Sequence, residues 1–161
     1  MIQATRVGIG YDIHRLVEGR RLTLAGIEIP FEKGLLGHSD SDVLTHAVCD
    51  ALLGAAAAGD IGTHFPDSDP RFAGAQSLDL LAHVVELIKI RGLRVASLDA
   101  VVLAERPRLA PYIRAMRERL AAVLQVEIEL VSVKAKTNEG LDSVGRGEAM
   151  AAHAVALLAG V

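Results

Sequence analysis

Tryptophan is absent, and aromatic residues make up only 3% of the chain. A core without large rings must be tiled from small branched side chains, and the dominant Leu, Val, Ala and Ile suit helices packed on a sheet. Cys49 is the only cysteine, so no internal disulfide can form. In an apolar helical run it reads as a small buried hydrophobe, and a reducing compartment fits it. Neither sign of charge dominates: 17 basic residues stand against 20 acidic ones, with no basic block and no aromatic ladder. That argues against nucleic acid as a partner. Long hydrophobic runs are lacking too. The longest, around Ala51 to Ala58, falls far short of the ~20 residues that span a bilayer. Met1 to Arg6 lacks the charged-then-apolar pattern of a signal peptide. The expectation is a cytoplasmic protein without membrane segments, one domain over residues 1–161, long enough to bury a core without staples.

Periodicity then divides the chain. Val7, Ile9, Tyr11 and Ile13 alternate with Gly8, Gly10, Asp12 and His14, the period of a strand with one apolar face. Glycine on the other face leaves room for something to approach the backbone. Leu22–Leu24 and Ile27–Ile29 flank Ala25-Gly26, a hairpin signal that Pro30 closes. A helix is expected from about Asp42 to Ala58, followed by a long loop over residues 63–76 with two prolines. Ser77 reads as the cap of a helix with Leu78, Leu81, Val85 and Ile88 on one face, stopped by Gly92. A strand over Leu98 to Ala104, a helix carrying Ile113, Met116, Leu120 and Val123, a strand over Ile128 to Ala135 and a closing helix over Gly147 to Leu158 complete the order. Strands alternating with helices predict an α/β (α+β) fold, a mixed sheet with helices packed on it, ferredoxin-like in style.

Three groups of residues carry potential chemistry. Asp12 and His14, two apart on a strand, point the same way. Zinc accepts carboxylate and imidazole together, and a catalytic site needs three protein ligands and an open position. His46, early in the first helix, is the candidate third ligand. Asp42, His46 and Asp50 share a helical face, so an aspartate there would orient the imidazole. His83 and His153 are expected inside amphipathic helices without a partner pattern and read as structural or surface residues. The second group, Lys134-Ala135-Lys136-Thr137-Asn138-Glu139-Gly140, gathers cations, a hydroxyl and a carboxylate where a strand ends, suited to phosphate and a magnesium-type ion. The third, Ala104-Glu105-Arg106-Pro107-Arg108-Leu109-Ala110, also follows a strand, where open α/β sheets bind ligands. Gly145-Arg146-Gly147 adds a further arginine. No GxGxxG, Walker A or serine nucleophile elbow is present.

In order and spacing, five segments are specific: Gly10-Tyr11-Asp12-Ile13-His14; Gly37-His38-Ser39-Asp40-Ser41-Asp42; Asp60-Ile61-Gly62 with Phe65-Pro66-Asp67-Ser68-Asp69; Val133 to Glu139; and Gly145-Arg146-Gly147-Glu148. On these the chain resembles the 2-C-methyl-D-erythritol 2,4-cyclodiphosphate synthases of non-mevalonate isoprenoid biosynthesis, from Gly8 to Leu158. The resemblance implies a homotrimer with active sites between subunits, joining the 2-phosphate of 4-diphosphocytidyl-2-C-methyl-D-erythritol 2-phosphate to its own β-phosphorus and releasing CMP. It implies Zn2+ on Asp12, His14 and His46, and Mg2+ or Mn2+ on Glu139 with substrate phosphates. His38 and Thr137 match residues that steady the transition state. Asp60, Ile61, Gly62, Phe65, Pro66, Asp67, Ser68 and Asp69 match the methylerythritol loop, with Ser39 beside them. Residues 104–110 match the cytidine diphosphate loop of an adjacent subunit, with Lys136 and Asn138 nearby. A prenyl diphosphate cavity on the threefold axis would be lined by Arg146 and Tyr11. Asp142, Ser143 and Lys136 depart from the pattern; Ser143 makes that cavity's wall less apolar.

The chemistry agrees with the residues. The nucleophile is already in the substrate, so no Ser or Cys is needed. Folding a polyanion on itself requires dications to neutralise like charges, and positioning and charge stabilisation carry phosphoryl transfer. Two rivals use the same residues: a zinc phosphohydrolase with a metal-bound water as nucleophile, and a non-enzymatic trimer that binds prenyl diphosphates through Arg146.

Overall fold

The computed structural model describes residues 5–161. In chain order the elements are β1 (Thr5–Glu18), β2 (Leu22–Leu24), β3 (Ile27–Ile29), β4 (Lys33–Leu35), α1 (Val43–Ala55), α2 (Ile61–His64), α3 (Ser77–Ile90), β5 (Leu93–Leu103), α4 (Ile113–Leu124), β6 (Val131–Lys136), α5 (Asp142–Gly145) and β7 (Ala149–Gly160). Five strands form a mixed sheet in the order β4-β1-β7-β5-β6, and β2 and β3 pair separately. Only β5 and β6 run parallel; β7 lies antiparallel to both of its neighbours. The mixed sheet with helices on it is therefore as the sequence predicts.

The closing helix is not. Residues 149–160 are the central strand. Ala, Leu and Met favour helix in isolation, but this segment is hydrogen-bonded along both edges, to β1 and to β5. Both of its faces are apolar, which hides the alternation that would mark a strand. Three shorter differences have local causes. Gly92 turns α3 directly into β5, so the strand begins at Leu93 rather than Leu98. Residues 128–130 form a 3-10 turn before β6, and residues 61–64 and 70–72 form short helical turns where a loop is expected.

The alternation in β1 does divide its faces, and the apolar set is the exposed one. Val7 and Ile9 are 69% and 70% exposed, and Tyr11 and Ile13 stand beside them. The glycine face meets α1. A Cβ on Gly10 would lie 1.8 Å from the Ala47 carbonyl oxygen, and one on Gly8 would lie 2.0 Å from that of Ala51. Glycine thus lets the helix backbone descend onto the strand. Ala47, Val48, Ala51 and Leu52 are fully buried between α1 and the sheet, with Cys49 among them, as its sequence context predicts.

Asp42 ties this helix to the hairpin. It is fully buried and caps α1 by accepting from Thr45 N. It also accepts from Thr45 Oγ1, from Ala25 N at 3.0 Å and from Gly26 N at 2.9 Å. The two turn residues have φ of 48° and 70°, as a two-residue hairpin turn of the I′ kind requires. Burial pushes the Asp42 carboxyl up from its ordinary value despite these donors.

Candidate metal and phosphate site

The close approach of α1 to β1 positions the first group. Asp12 and His14 follow the two glycines on the helix-facing side of β1, and His46 lies one turn into α1. His46 Nδ1 is 3.1 Å from Asp12 Oδ2, and His14 Nε2 is 2.8 Å from the same oxygen. The three residues offer ligand atoms all within 4.8 Å of one another, the one such group of three among the described residues. Strand and helix, distant in sequence, thus bring a carboxylate and two imidazoles to one point.

The donor set fits a cation. His14 Nδ1 is 2.9 Å from the Leu36 carbonyl oxygen, which only accepts, so Nδ1 carries a proton and the neutral ring presents the Nε2 lone pair towards Asp12. That Nε2 is buried without a hydrogen-bond partner, although the Asp12 oxygen is near. A lone pair aimed at a carboxylate is unfavourable with nothing between them, and either a proton on Nε2 or a metal ion fills the gap. Burial raises the Asp12 carboxyl, but His14 and His46 together hold it below its ordinary 3.8. The Asp12 carboxylate in turn raises His14 above its ordinary 6.5, against burial.

The aspartates on His46's helical face do not orient it. Asp42 is committed to the hairpin turn, and Asp50 accepts from Ile61 N at 2.7 Å. The far nitrogen of His46 meets Ser77 Oγ at 2.8 Å instead. Ser77 does not cap α3: Gln76 occupies that position without a side-chain bond, and Ser77 is the first helical residue. Sequence offers no signal for this contact across 31 positions.

A cavity of about 280 Å³ opens on the triad. His38, Ser39, Ile61, Gly62, Phe65 and Asp67 line it, together with Phe72 and Leu80, which sequence reasoning did not single out. Asp60 points its carboxylate back into the chain, accepting from Thr63 N and Oγ1 as the cap of α2. Asp69 likewise caps the turn at residues 70–72 and grips Arg71, and its own N–H reaches the Pro66 carbonyl. From this stretch Ile61, Gly62, Phe65 and Asp67 reach the cavity, while Asp60, Pro66, Ser68 and Asp69 do not line it. Phe65 packs edge-on against Phe72 with centroids 5.2 Å apart.

The third group and part of the second line a separate cleft of about 750 Å³, which Lys134, Asn138, Glu139 and Gly140 do not line. It takes in residues 104–110, Lys136 and Thr137, closed by Pro30, Phe31 and Glu32. Glu105 braces it: its two carboxylate oxygens accept from Asn138 N and Gly140 N, each at 3.0 Å. Glu139 sits between those donors with φ of 54° and an exposed side chain. Arg106 lies 3.5 Å from Glu32 and over the Phe31 ring. Arg146 is exposed and held by Glu148.

Among the described residues, none lines both cavities. In register, Asp12 pairs with Ala152, Ala152 with Val102, and Val102 with Ala135. Three strand spacings put the triad about 14 Å from the strand that leads to Thr137 and Glu139. Both lie where β1, β5 and β6 run to their carboxyl ends, but at opposite margins of the sheet.

Comparison with known proteins bears on the whole chain. A protein of Trichlorobacter lovleyi named 2-C-methyl-D-erythritol 2,4-cyclodiphosphate synthase is 60% identical over 153 residues, covering 95% of this chain and 98% of its own. One of the same name from Gloeobacter violaceus is 62% identical, covering 95% and 94%. Among solved structures, a CDP-bound 2C-methyl-D-erythritol-2,4-cyclodiphosphate synthase superposes with a TM-score of 0.88 at 40% identity, covering 95% of this chain and 99% of that one. The bifunctional IspDF of Campylobacter jejuni superposes at 0.95 with 38% identity over 99% of this chain, which spans 43% of that longer protein. With the YgbB family model matching residues 5–159, the chain belongs to the YgbB family.

Proposed function

We infer that this chain is a lyase of isoprenoid precursor biosynthesis that converts 4-diphosphocytidyl-2-C-methyl-D-erythritol 2-phosphate to 2-C-methyl-D-erythritol 2,4-cyclodiphosphate and CMP. The observation that carries this is the meeting of His14 and His46 on one Asp12 oxygen, at 2.8 and 3.1 Å, in a chain whose relatives bear that enzyme's name. In the reaction a 2-phosphate oxygen forms a bond to the β-phosphorus as the bond from that phosphorus to the CMP oxygen breaks. The substrate brings its own nucleophile, consistent with a sole thiol, Cys49, that is fully buried. Zn2+ on Asp12, His14 and His46, and Mg2+ or Mn2+ on Glu139 with the substrate phosphates, would neutralise charge as Lewis acids. The protein's part is positioning. His38 and Thr137 steady charge on the reacting phosphates, the 60–69 stretch receives the methylerythritol portion, and residues 104–110 receive the cytidine diphosphate, largely through backbone groups.

The reading includes a homotrimer with sites completed between subunits. Two features support it. The triad and the phosphate cleft open as separate cavities in one chain, and a neighbouring copy would bring one of each together. The sheet face away from the helices is apolar along β1, with Val7 and Ile9 more than two-thirds exposed, a surface that stays wet unless another copy covers it. Among the described residues no helix is long and apolar enough to cross a membrane, and the reading places the enzyme in the cytoplasm. It gives a prenyl diphosphate no part in turnover, since Ser143 makes the wall of the axial cavity less apolar.

Phosphorus NMR of the reaction, with metal analysis and sedimentation of the purified protein, tests this. Cyclic diphosphate with CMP, zinc in the protein and a trimer are expected. Free phosphate as product would favour the hydrolase; absence of zinc and of cyclisation would end the proposal.

A further inference from the structure

Ser77 opens α3, yet its hydroxyl is not spent on the helix. The side chain is fully buried. It donates to Asp40 Oδ1, while its Oγ stands 2.8 Å from His46 Nε2. The helix end is served separately, by Ser77 N donating to Asp40 Oδ2 at 2.9 Å. Asp40 also accepts from Asp42 N at 3.1 Å, which anchors the carboxylate to the start of α1.

Proton counting then decides the arrangement. A serine hydroxyl has one proton, and an ionised carboxylate only accepts. With that proton directed at Asp40, Ser77 Oγ faces His46 as an acceptor, so Nε2 brings the proton. In the neutral ring, which is the form that binds a metal, Nδ1 then keeps its lone pair on the Asp12 side. Ser39 Oγ, 3.3 Å from the same Nε2, accepts from Ser41 N and is the more distant neighbour. His14 uses the opposite nitrogens to the same end, with Nδ1 fixed by the Leu36 carbonyl and Nε2 turned to Asp12.

We propose that Ser77 and Asp40 are a positioning pair for the metal centre, holding His46 in the tautomer and ring orientation that present Nδ1 to the ion. The proposal rests on the reading of Asp12, His14 and His46 as metal ligands. It makes the first residue of α3 and the loop before α1 parts of one relay, so that the docking of α3 and the readiness of the site are linked.

The test is Co2+ titration of the full-length protein, followed by its d–d absorption and by competition with a chelator. Ser77→Ala keeps the backbone bond to Asp40 and removes only the hydroxyl. It should weaken Co2+ binding ~10–100-fold, the usual cost of losing a partner to a ligating histidine. Asp40→Asn should weaken binding in the same direction. The double variant should be no weaker than Ser77→Ala to within about twofold, because members of one relay do not add. Should Ser77→Ala lose its near-ultraviolet circular dichroism, Ser77→Cys, which keeps the volume but accepts poorly, carries the same expectation. Wild-type binding of Co2+ with an unweakened Ser77 variant would overturn the proposal and leave the metal reading intact, as would fully additive losses. A wild-type protein that binds no Co2+ would overturn both.

Discussion

Asp12, His14 and His46 stand on a strand and a helix held together by glycine-mediated backbone contact, whereas Thr137, Asn138 and Glu139 stand on a loop held by two hydrogen bonds to Glu105. The first region is built by packing, and its geometry is as rigid as the α1–β1 interface. The second is built by polar bracing around an open cleft. Phosphoryl transfer needs both kinds of construction: ligands pre-set for an ion, and a mouth wide enough to admit a nucleotide diphosphate. The difference also teaches where substitutions will be felt. In the packed region a single methyl group displaces backbone; in the braced region a carboxylate can be lost with the fold intact.

The largest effect is expected at the ligands. His46→Ala should lower kcat/KM by at least ~10³-fold, since an ion supplying several kcal/mol of charge stabilisation is lost with it. Steady-state assays beside Co2+ titration check this, and near-normal turnover would remove the packed region from the chemistry. Gly10→Ala comes next. Its Cβ meets the Ala47 carbonyl, so urea unfolding should show a loss of about 1–3 kcal/mol or more from overpacking, with weakened Co2+ binding because α1 carries His46. Unchanged Co2+ affinity in a destabilised protein would break the link between packing and ligand placement.

Glu105→Gln sharpens the contrast from the other side. An amide presents only one acceptor oxygen to the two backbone donors. KM for the substrate should rise ~3–10-fold, the factor that a net hydrogen bond corresponds to, while Co2+ affinity at the triad stays at the wild-type value. A parallel loss of Co2+ affinity would show that the two regions are not independent within a chain. The smallest effect concerns pH in the presence of a chelator. Asp12 raises His14 above 6.5, so this pair's stabilisation is complete below 6.5 and is lost as the pH climbs through His14's folded value. Asp12 is lowered below 3.8, so its contribution is present above 3.8 and is lost as the pH falls through its folded value. The Tm of metal-free protein should therefore decline as the pH rises above about 6.5, and Asp12→Asn should flatten that decline. A slope unaffected by Asp12→Asn would place its origin elsewhere.

Much of the site is legible in the chain itself. The two-residue period of β1 puts Asp12 and His14 on one side, and the Asp42 cap places His46 one turn into a helix; both are local consequences of backbone geometry. The clusters after β5 and β6 are legible for the same reason, because charged residues gather where apolar strands end. What local pattern cannot carry is which elements meet. The alanine-rich segment at 149–160 favours helix by propensity, and only pairing with β1 and β5 on both edges makes it the central strand. Ser77 looks like a helix cap and becomes a partner of His46 only because α3 docks beside α1. Sequence alone determined the residue types, their spacing and the side of each element on which they stand. Tertiary structure decided which of those sides face one another, because contacts across 31 or 34 positions depend on how the chain packs and leave no periodic trace in it.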